Sequence, residues 1–304
     1  MLSVIICSVN EELLSNIKRN IASTIGLEYE LLVWDNKGKN YGLCKVYNLM
    51  AGKARYPYVC FIHEDIIFET PNWGKIVLEI FDTKKEIGLL GVAGGKYKGK
   101  YLSGWFSGIK GMDYFHIIHK NKNNEQNLSN SNQWETPEVK VVTIDGVFMC
   151  ARKFVWEMTK FNEDLLKGFH FYDIDFSLQV ARSYEVIVTN RIDIIHLTQG
   201  GDFGNNWVKE ALSFHIANSN VLPFYCEIVN AYSAEQIVAK TWLDRLKTER
   251  INLGYKLKWI NVQHLYKVKA LWPFVVKFLL YKPSGIAFIH DLLKKYKGQI
   301  LNKK

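Results

Sequence analysis

At 304 residues and 48% hydrophobic, the chain can bury a large core, and one domain with an appendage is the expected organisation. Its 14% aromatic content argues against disorder, and no apolar run reaches the roughly 18–20 residues that a membrane-spanning helix needs. The net charge of +9 is local: residues 251–304 carry eleven Lys and one acid, Asp291, for +10, and the other 28 basic and 29 acidic residues leave the body at −1. A neutral body gives no footprint for nucleic acid, whereas the basic tail points to an anionic surface.

Five cysteines show no CxxC spacing, and Cys7, Cys60 and Cys150 lie in apolar runs. They read as reduced core thiols rather than disulfides or zinc ligands. Met1–Ile6 shows neither a basic leader nor a small-residue cleavage site, so a cytoplasmic protein is expected.

In chain order, Ser3–Val9 reads as a buried strand, and Asn10 caps the helix that follows, with Glu11 and Glu12 in its dipole-favoured first turn. Leu13, Leu14, Ile17 and Ile21 keep helical spacing, and Gly26 ends the helix. Tyr29–Trp34 is a second strand ending in Asp35-Asn36. A helix then carries Leu43, Val46, Tyr47, Met50 and Ala54 on one face, and Pro57 breaks it before the Tyr58–Ile62 strand. This β-α-β-α-β order with short connections implies a parallel sheet with right-handed crossovers. No GxGxxG or GxxxxGK[ST] motif is present, so a nucleotide here would be held by side chains, with its diphosphate on a metal.

Further on, Pro71–Phe81 reads as a helix and Ile87–Gly95 as a strand whose glycines allow close backbone approach. Residues 120–138 are polar and Asn-rich, the signature of a mobile loop. His116 and His119, just before it, have no acidic or Cys partner in sequence and read as surface histidines. Val139–Cys150 is apolar around Asp145, which falls in a strand or at its end. Residues 206–250 look helical.

Polar groups collect where strands stop. His63-Glu64-Asp65 interrupts an apolar run, and uncompensated charge is too costly to bury within a strand. At the carboxyl end of a parallel strand the same residues suit Mg²⁺ or Mn²⁺ and a diphosphate, although a solvated turn has the same composition. Asp173 and Asp175, in Gly168-Phe-His-Phe-Tyr-Asp-Ile-Asp, suit either helix capping or chemistry. His196 follows a strand and precedes a glycine turn, where a hydrogen-bonded histidine or a metal ligand both fit.

Taken in order, Ser3-Val-Ile-Ile-Cys-Ser-Val-Asn-Glu, Leu31-Leu-Val-Trp-Asp-Asn, Tyr58-Val-Cys-Phe-Ile-His-Glu-Asp, Asp145-Gly-Val-Phe-Met, the Gly168–Asp175 run and His196 resemble a family-2-like glycosyltransferase of the GT-A fold. The bacterial subgroup whose metal motif reads His-x-Asp is especially similar. The resemblance implies an α/β fold with a mostly parallel central sheet flanked by helices. It implies a glycosyltransferase domain over 1–205, with a nucleotide-binding half at 1–95 and an acceptor half at 96–205. Residues 206–304 follow as a helical, basic and aromatic extension.

By the same resemblance, Asp65 and His196 hold the metal, Mn²⁺ or Mg²⁺, and His63 replaces the usual acid. Glu64 reaches the ribose or a metal-bound water, Asp35 reads the nucleobase edge, and Ser8 and Asn10 lie beneath the base. Asp173 matches the general base of inverting relatives, with Asp145 and Asp175 beside the substrates. Loop 120–138 is placed to close over the donor. The implied activity moves a hexosyl or deoxyhexosyl unit from a nucleotide-diphosphate donor to a glycan or lipid-linked acceptor. It belongs to bacterial surface polysaccharide or glycoconjugate synthesis. Competing expectations are an inactive, glycan-binding relative and a nucleic-acid binder acting through the tail. A sugar-nucleotide pyrophosphorylase lacks support, because Cys7-Ser-Val-Asn-Glu-Glu is not a basic Gly-rich loop. Residues 255–282 interleave Lys with Trp, Tyr and aliphatics, which suits either an anionic membrane interface or a helix docked on the body or a partner copy.

Overall fold

A computed structural model describes residues 1–120, 126–131, 133–197 and 203–281. In chain order it contains β1 (Leu2–Ser8), α1 (Glu11–Thr24), β2 (Tyr29–Asp35), α2 (Leu43–Ala51), β3 (Tyr58–Ile62), β4 (Ile66–Phe68) and α3 (Trp73–Thr83). Next come β5 (Ile87–Gly91), β6 (Ala93–Gly95), β7 (Tyr97–Lys98), β8 (Asp113–Lys120), β9 (Gln126–Asn130), β10 (Glu138–Val141), β11 (Thr143–Ile144) and β12 (Phe148–Arg152). The chain continues through α4 (Lys153–Thr159), α5 (Tyr172–Val180), β13 (Glu185–Thr189), β14 (Ile194–His196), α6 (Asn205–Ala217), β15 (Phe224–Tyr225), α7 (Ala231–Leu246), α8 (Leu253–Val262) and α9 (Trp272–Leu280).

The central sheet has seven strands in the order β10-β13-β5-β12-β3-β1-β2. β1 pairs parallel with both β2 and β3, as the β-α-β-α-β reading requires, and β13 pairs parallel with β5. β12 runs antiparallel between β3 and β5, and β10 is antiparallel at the edge. Alternation along the strands divides the core. Val4, Ile6, Cys60 and Ile62 face α1 and α3 through Ile17, Ile21, Trp73 and Val77. Ile5, Val59 and Phe61 face α2, α5, α6 and α7 through Tyr47, Phe176, Trp207 and Trp242. Each large apolar side chain buried this way contributes roughly 1.5–3 kcal/mol, which is why period two is kept on the inner strands.

Several local expectations hold. Asn10 caps α1, its Oδ1 accepting from the backbone N–H groups of Glu12 and Leu13. Gly26 follows the end of α1 at φ +71°, and a Cβ there would lie 2.2 Å from Asn72 Oδ1, so backbone conformation and packing both select glycine.

Others are corrected. The run 87–95 is two strands in different sheets: β5 sits in the central sheet, whereas β6 pairs with β8 and β11 in a second sheet ordered β11-β6-β8-β14-β4. Gly94 permits the crossing, since a Cβ would lie 2.2 Å from the Thr143 carbonyl oxygen. Within 120–138, Gln126–Asn130 forms β9, antiparallel to β8. Backbone pairing orders this polar segment, so its side chains show no strand pattern; residues 121–125 and 132 lie outside the described residues. His116 is no surface histidine: it is half-buried, with Nε2 2.6 Å from Asp193 Oδ1 across 77 residues of sequence. The His119 side chain lies outside the described residues. Cys60 and Cys150 face each other in the β3–β12 register with Cα atoms 4.1 Å apart and are joined as a disulfide, so the all-thiol reading fails for this pair. Among the described residues, no helix is long and apolar enough to cross a membrane.

Candidate active site

The carboxyl ends of β1, β2 and β3 lie side by side, with Ser8 opposite Asp35 and Ile6 opposite Ile62. The turn after β3 is tied to the loop after β1 by Glu64. Its carboxylate accepts from the Ser8 hydroxyl at 2.5 Å and from the N–H groups of Val9 and Asn10 at 3.2 Å. Three donors on one carboxylate offset the loss of its hydration. Asp35 is exposed and accepts from the Lys37 N–H at 3.0 Å. Beside it, Trp34 stacks on Tyr41 with ring centres 5.6 Å apart, and the Lys39 ammonium lies 4.8 Å above the Trp34 ring. This edge therefore offers a flat aromatic surface, an acid and a cation to a nucleoside.

His63, Asp65 and His196 converge although 131 residues separate the last two. The second sheet brings them together: β14 pairs antiparallel with β4 so that His196 lies opposite Ile66, and the Leu197 N–H donates to the Asp65 carbonyl at 2.9 Å. His196 Nε2 is 3.2 Å from Asp65 Oδ2, and His63 Nδ1 is 3.9 Å from Asp65 Oδ1. One donor atom from each of the three residues lies within 4.8 Å of the others. The other ring nitrogen of His63, Nε2, is 2.8 Å from the Tyr172 hydroxyl, which fixes the ring and leaves Nδ1 facing the cluster. Burial holds His63 below its ordinary pKa despite the attraction of Asp65 and Asp145. Burial acts the same way on His196, but the hydrogen bond and charge of Asp65 outweigh it and raise its pKa. At 3.9 Å, His63 Nδ1 and Asp65 Oδ1 are too far apart for a hydrogen bond, and a cation between them would suit both.

Asp173 lies in the first turn of α5, reached through Phe171 at φ +64°. Its carboxylate accepts from the N–H groups of Gly146 and Ile174, both at 2.9 Å. Burial, with the nearby charge of Asp145, pushes its pKa up to about 7. Asp145 accepts from Trp105 Nε1 at 2.6 Å and from the Val147 N–H at 2.8 Å. The Asp145–Gly146 turn is placed by β12, since the His63 N–H donates to the Val147 carbonyl at 3.2 Å. Gly146 has no room for a side chain: a Cβ would lie 2.0 Å from the Tyr172 hydroxyl. His63, Asp145 and Asp173 share a cavity of about 420 Å³ walled by Trp105, Phe106, Phe169, Phe203, Trp207 and Trp242.

Asp175 is turned away from this cavity. It is buried under Gln179 and Asn218, at 2.5 and 3.5 Å, and burial raises its pKa. Ser8, Glu64, Asn10 and Asp35 stand together at the carboxyl ends of β1 to β3, whereas His63, Asp145 and Asp173 line the cavity. The sequence reading passed over Tyr172 and the aromatic wall. A tyrosine beside an acid signals nothing by itself, because its partner is 109 residues away.

The sequence matches a family described as glycosyltransferase like over residues 3–213. The chain belongs to this glycosyltransferase-like family. No curated protein matches it. Among solved structures, S. aureus TarS superposes with a TM-score of 0.50 at 13% identity, covering 86% of this chain and 47% of TarS. The TarS 1-349 structure also gives 0.50, at 12% identity, covering 93% of this chain and 81% of that one. The chain thus spans about half the length of the longer TarS structure. A mannosyltransferase from Pyrobaculum calidifontis, described in complex with GDP-Man and Mn²⁺, gives 0.48 at 12% identity, covering 91% and 85%. The fold of this chain is the GT-A fold.

Proposed function

We propose that this glycosyltransferase moves a hexosyl or deoxyhexosyl unit from a nucleoside-diphosphate sugar to a hydroxyl of a glycan or lipid-linked acceptor, with inversion. The observation that carries the reading is the meeting of the His63–Asp65–His196 cluster with Asp145 and Asp173 at one mouth of the sheet. His63, Asp65 and His196 would hold a divalent cation; two imidazoles with one carboxylate fit Mn²⁺ better than Mg²⁺, which prefers oxygen donors. When bound, such an ion supplies Lewis-acid stabilisation of the departing diphosphate.

The chain's own residues account for the rest. The exposed Asp35 and the Trp34–Tyr41 stack receive the nucleoside, while Glu64 holds the loop of Ser8 and Asn10 rigid beneath it. Tyr172 orients His63. Asp173, with a pKa of about 7, is half ionised at neutrality and can take the acceptor's proton as the new bond forms. The aromatic wall excludes water, which limits hydrolysis of the donor. Asp175, buried at the base of α5, steadies that helix.

A thermal-shift screen of UDP-, GDP-, dTDP- and CMP-sugars with and without Mn²⁺ tests the reading, since a ligand that binds only the folded state raises its stability. A Mn²⁺-dependent shift with a nucleotide sugar is expected. No shift with any donor under either condition overturns it.

We further infer that residues 1–205 form the glycosyltransferase domain, whose cavity is closed on one side by residues of the 206–304 extension, and that this extension also brings the enzyme to an anionic membrane, as an enzyme of bacterial surface polysaccharide or glycoconjugate synthesis would require. In support, α9 exposes Trp272, Val276 and Leu280 at i, i+4 and i+8, and Trp272 Nε1 donates to the carbonyl of exposed Tyr266. Lys258, Lys267, Lys269 and Lys277 are exposed as well, and residues 251–281 contain no acid.

A further inference from the structure

Residues 231–246 lie outside the span matched by the family, yet helix α7 is built into the cavity that holds Asp173. Thr241, Trp242 and Arg245 line it directly. Trp242 stacks on Trp207 with ring centres 5.1 Å apart and planes 9° from parallel, and Phe203 packs against both at 5.2 and 5.9 Å. The Arg245 guanidinium lies 4.7 Å from the Phe203 ring centre and is held by Glu249 at 2.7 Å.

The same helix shapes the opposite wall. Trp242 Nε1 donates to the Phe106 carbonyl at 2.8 Å. A Cβ on Gly104 would lie 2.8 Å from the Trp242 ring, and one on Gly108 would lie 2.4 Å from Thr241 Oγ1. The loop bearing Trp105 and Phe106 is thus fitted closely against α7, and Trp105 in turn holds Asp145.

We propose that α7 forms the acceptor-recognising wall of the enzyme and that the unit it receives is a pyranose ring, resting its C–H face on the aromatic wall with a hydroxyl toward Asp173. The aromatic lining favours a flat, partly apolar ring, while the cavity's polar groups, Asp145, Asp173, Thr241 and Arg245, suit the hydroxyl edge of a sugar. Acceptor choice then depends on residues beyond the family-matched span. This assignment rests on the glycosyl-transfer reading for the word acceptor, but the ring-binding wall is testable without turnover.

The test is saturation-transfer-difference NMR on the full chain with a panel of methyl pyranosides (gluco, galacto, manno and N-acetylglucosamine). Wild type should transfer saturation to ring C–H protons of at least one of them. Arg245→Ala, at an exposed side chain, and Trp242→Phe, which keeps an aromatic packed there, should each weaken that binding about 2–10-fold, the scale of one lost aromatic or cation–π contact. Melting temperature checks that both variants remain folded. No signal from any pyranoside, or equal binding by both variants, overturns the proposal. If nucleotide sugars still give their Mn²⁺-dependent thermal shift in that case, the wall assignment falls and the transfer reading stands. Pyranoside binding without any nucleotide-sugar shift sinks the transfer reading and leaves the wall.

Discussion

Asp173 is asked to accept a proton, and its surroundings set when it can. Its pKa, raised to about 7 by burial and by Asp145, means the carboxyl is protonated and idle in acid and ionised above neutrality. If it is the base, kcat/KM should climb with unit slope up to about pH 7 and level off beyond; a profile flat between pH 5 and 8 would remove it from the role. Asp173→Asn should lower transfer about 10²–10⁴-fold while nucleotide binding by thermal shift persists. Tyr172 acts one step further out. Tyr172→Phe frees the His63 ring and should weaken Mn²⁺ binding about 10–100-fold by calorimetric titration, without loss of fold. Unchanged affinity would mean that His63 is held by its packing alone. His63, Asp65 and His196 were readable as polar residues at strand ends, because charge is expensive inside an apolar run, and Asp173 as an acid in the first turn of a helix. Tyr172 was not, since a hydroxyl's partner is decided by folding.

At the scale of elements, turns and crossings carry the placement. Gly26 ends α1 in a left-handed conformation against Asn72, so Gly26→Ala should cost about 1–2 kcal/mol in urea unfolding from the backbone alone. A stability within experimental error of wild type would show that the α1–β2 turn can relax around a methyl group. The elements with clear periodicity, β1, α1, β2, α2 and β3, lie where their pattern puts them. The failures have specific causes. The run 87–95 is apolar throughout, and apolarity does not say where a chain leaves one sheet for another. β9 is ordered by backbone pairing to β8, for which Asn-rich side chains carry no signal. His116 was taken as exposed because its acidic partner, Asp193, is remote in sequence.

For the molecule as a whole, charge and cavity are unevenly shared: the body is near neutral, and the extension both lines the cavity that holds Asp173 and carries the basic, aromatic surface. Replacing Lys267, Lys269 and Lys277 with Gln should reduce flotation with liposomes containing anionic lipid, at roughly 1 kcal/mol per charge, and have no effect with neutral lipid. Flotation equal to wild type on anionic vesicles would remove the electrostatic attraction. Part of the extension's pattern was misleading, because Lys256 is buried and donates to the Phe278 carbonyl at 2.6 Å instead of facing solvent. The sequence by itself determined the α/β class, the parallel opening of the sheet and which polar residues stand at strand ends, because these follow from local periodicity and the cost of buried charge. Tertiary structure alone decided which of them meet: the β14–β4 register that sets His196 beside Asp65, the rotation along α5 that sends Asp173 inward and Asp175 away, and the packing of α7 over the cavity. Those are long-range contacts, and no local pattern of residues encodes the partner at the other end.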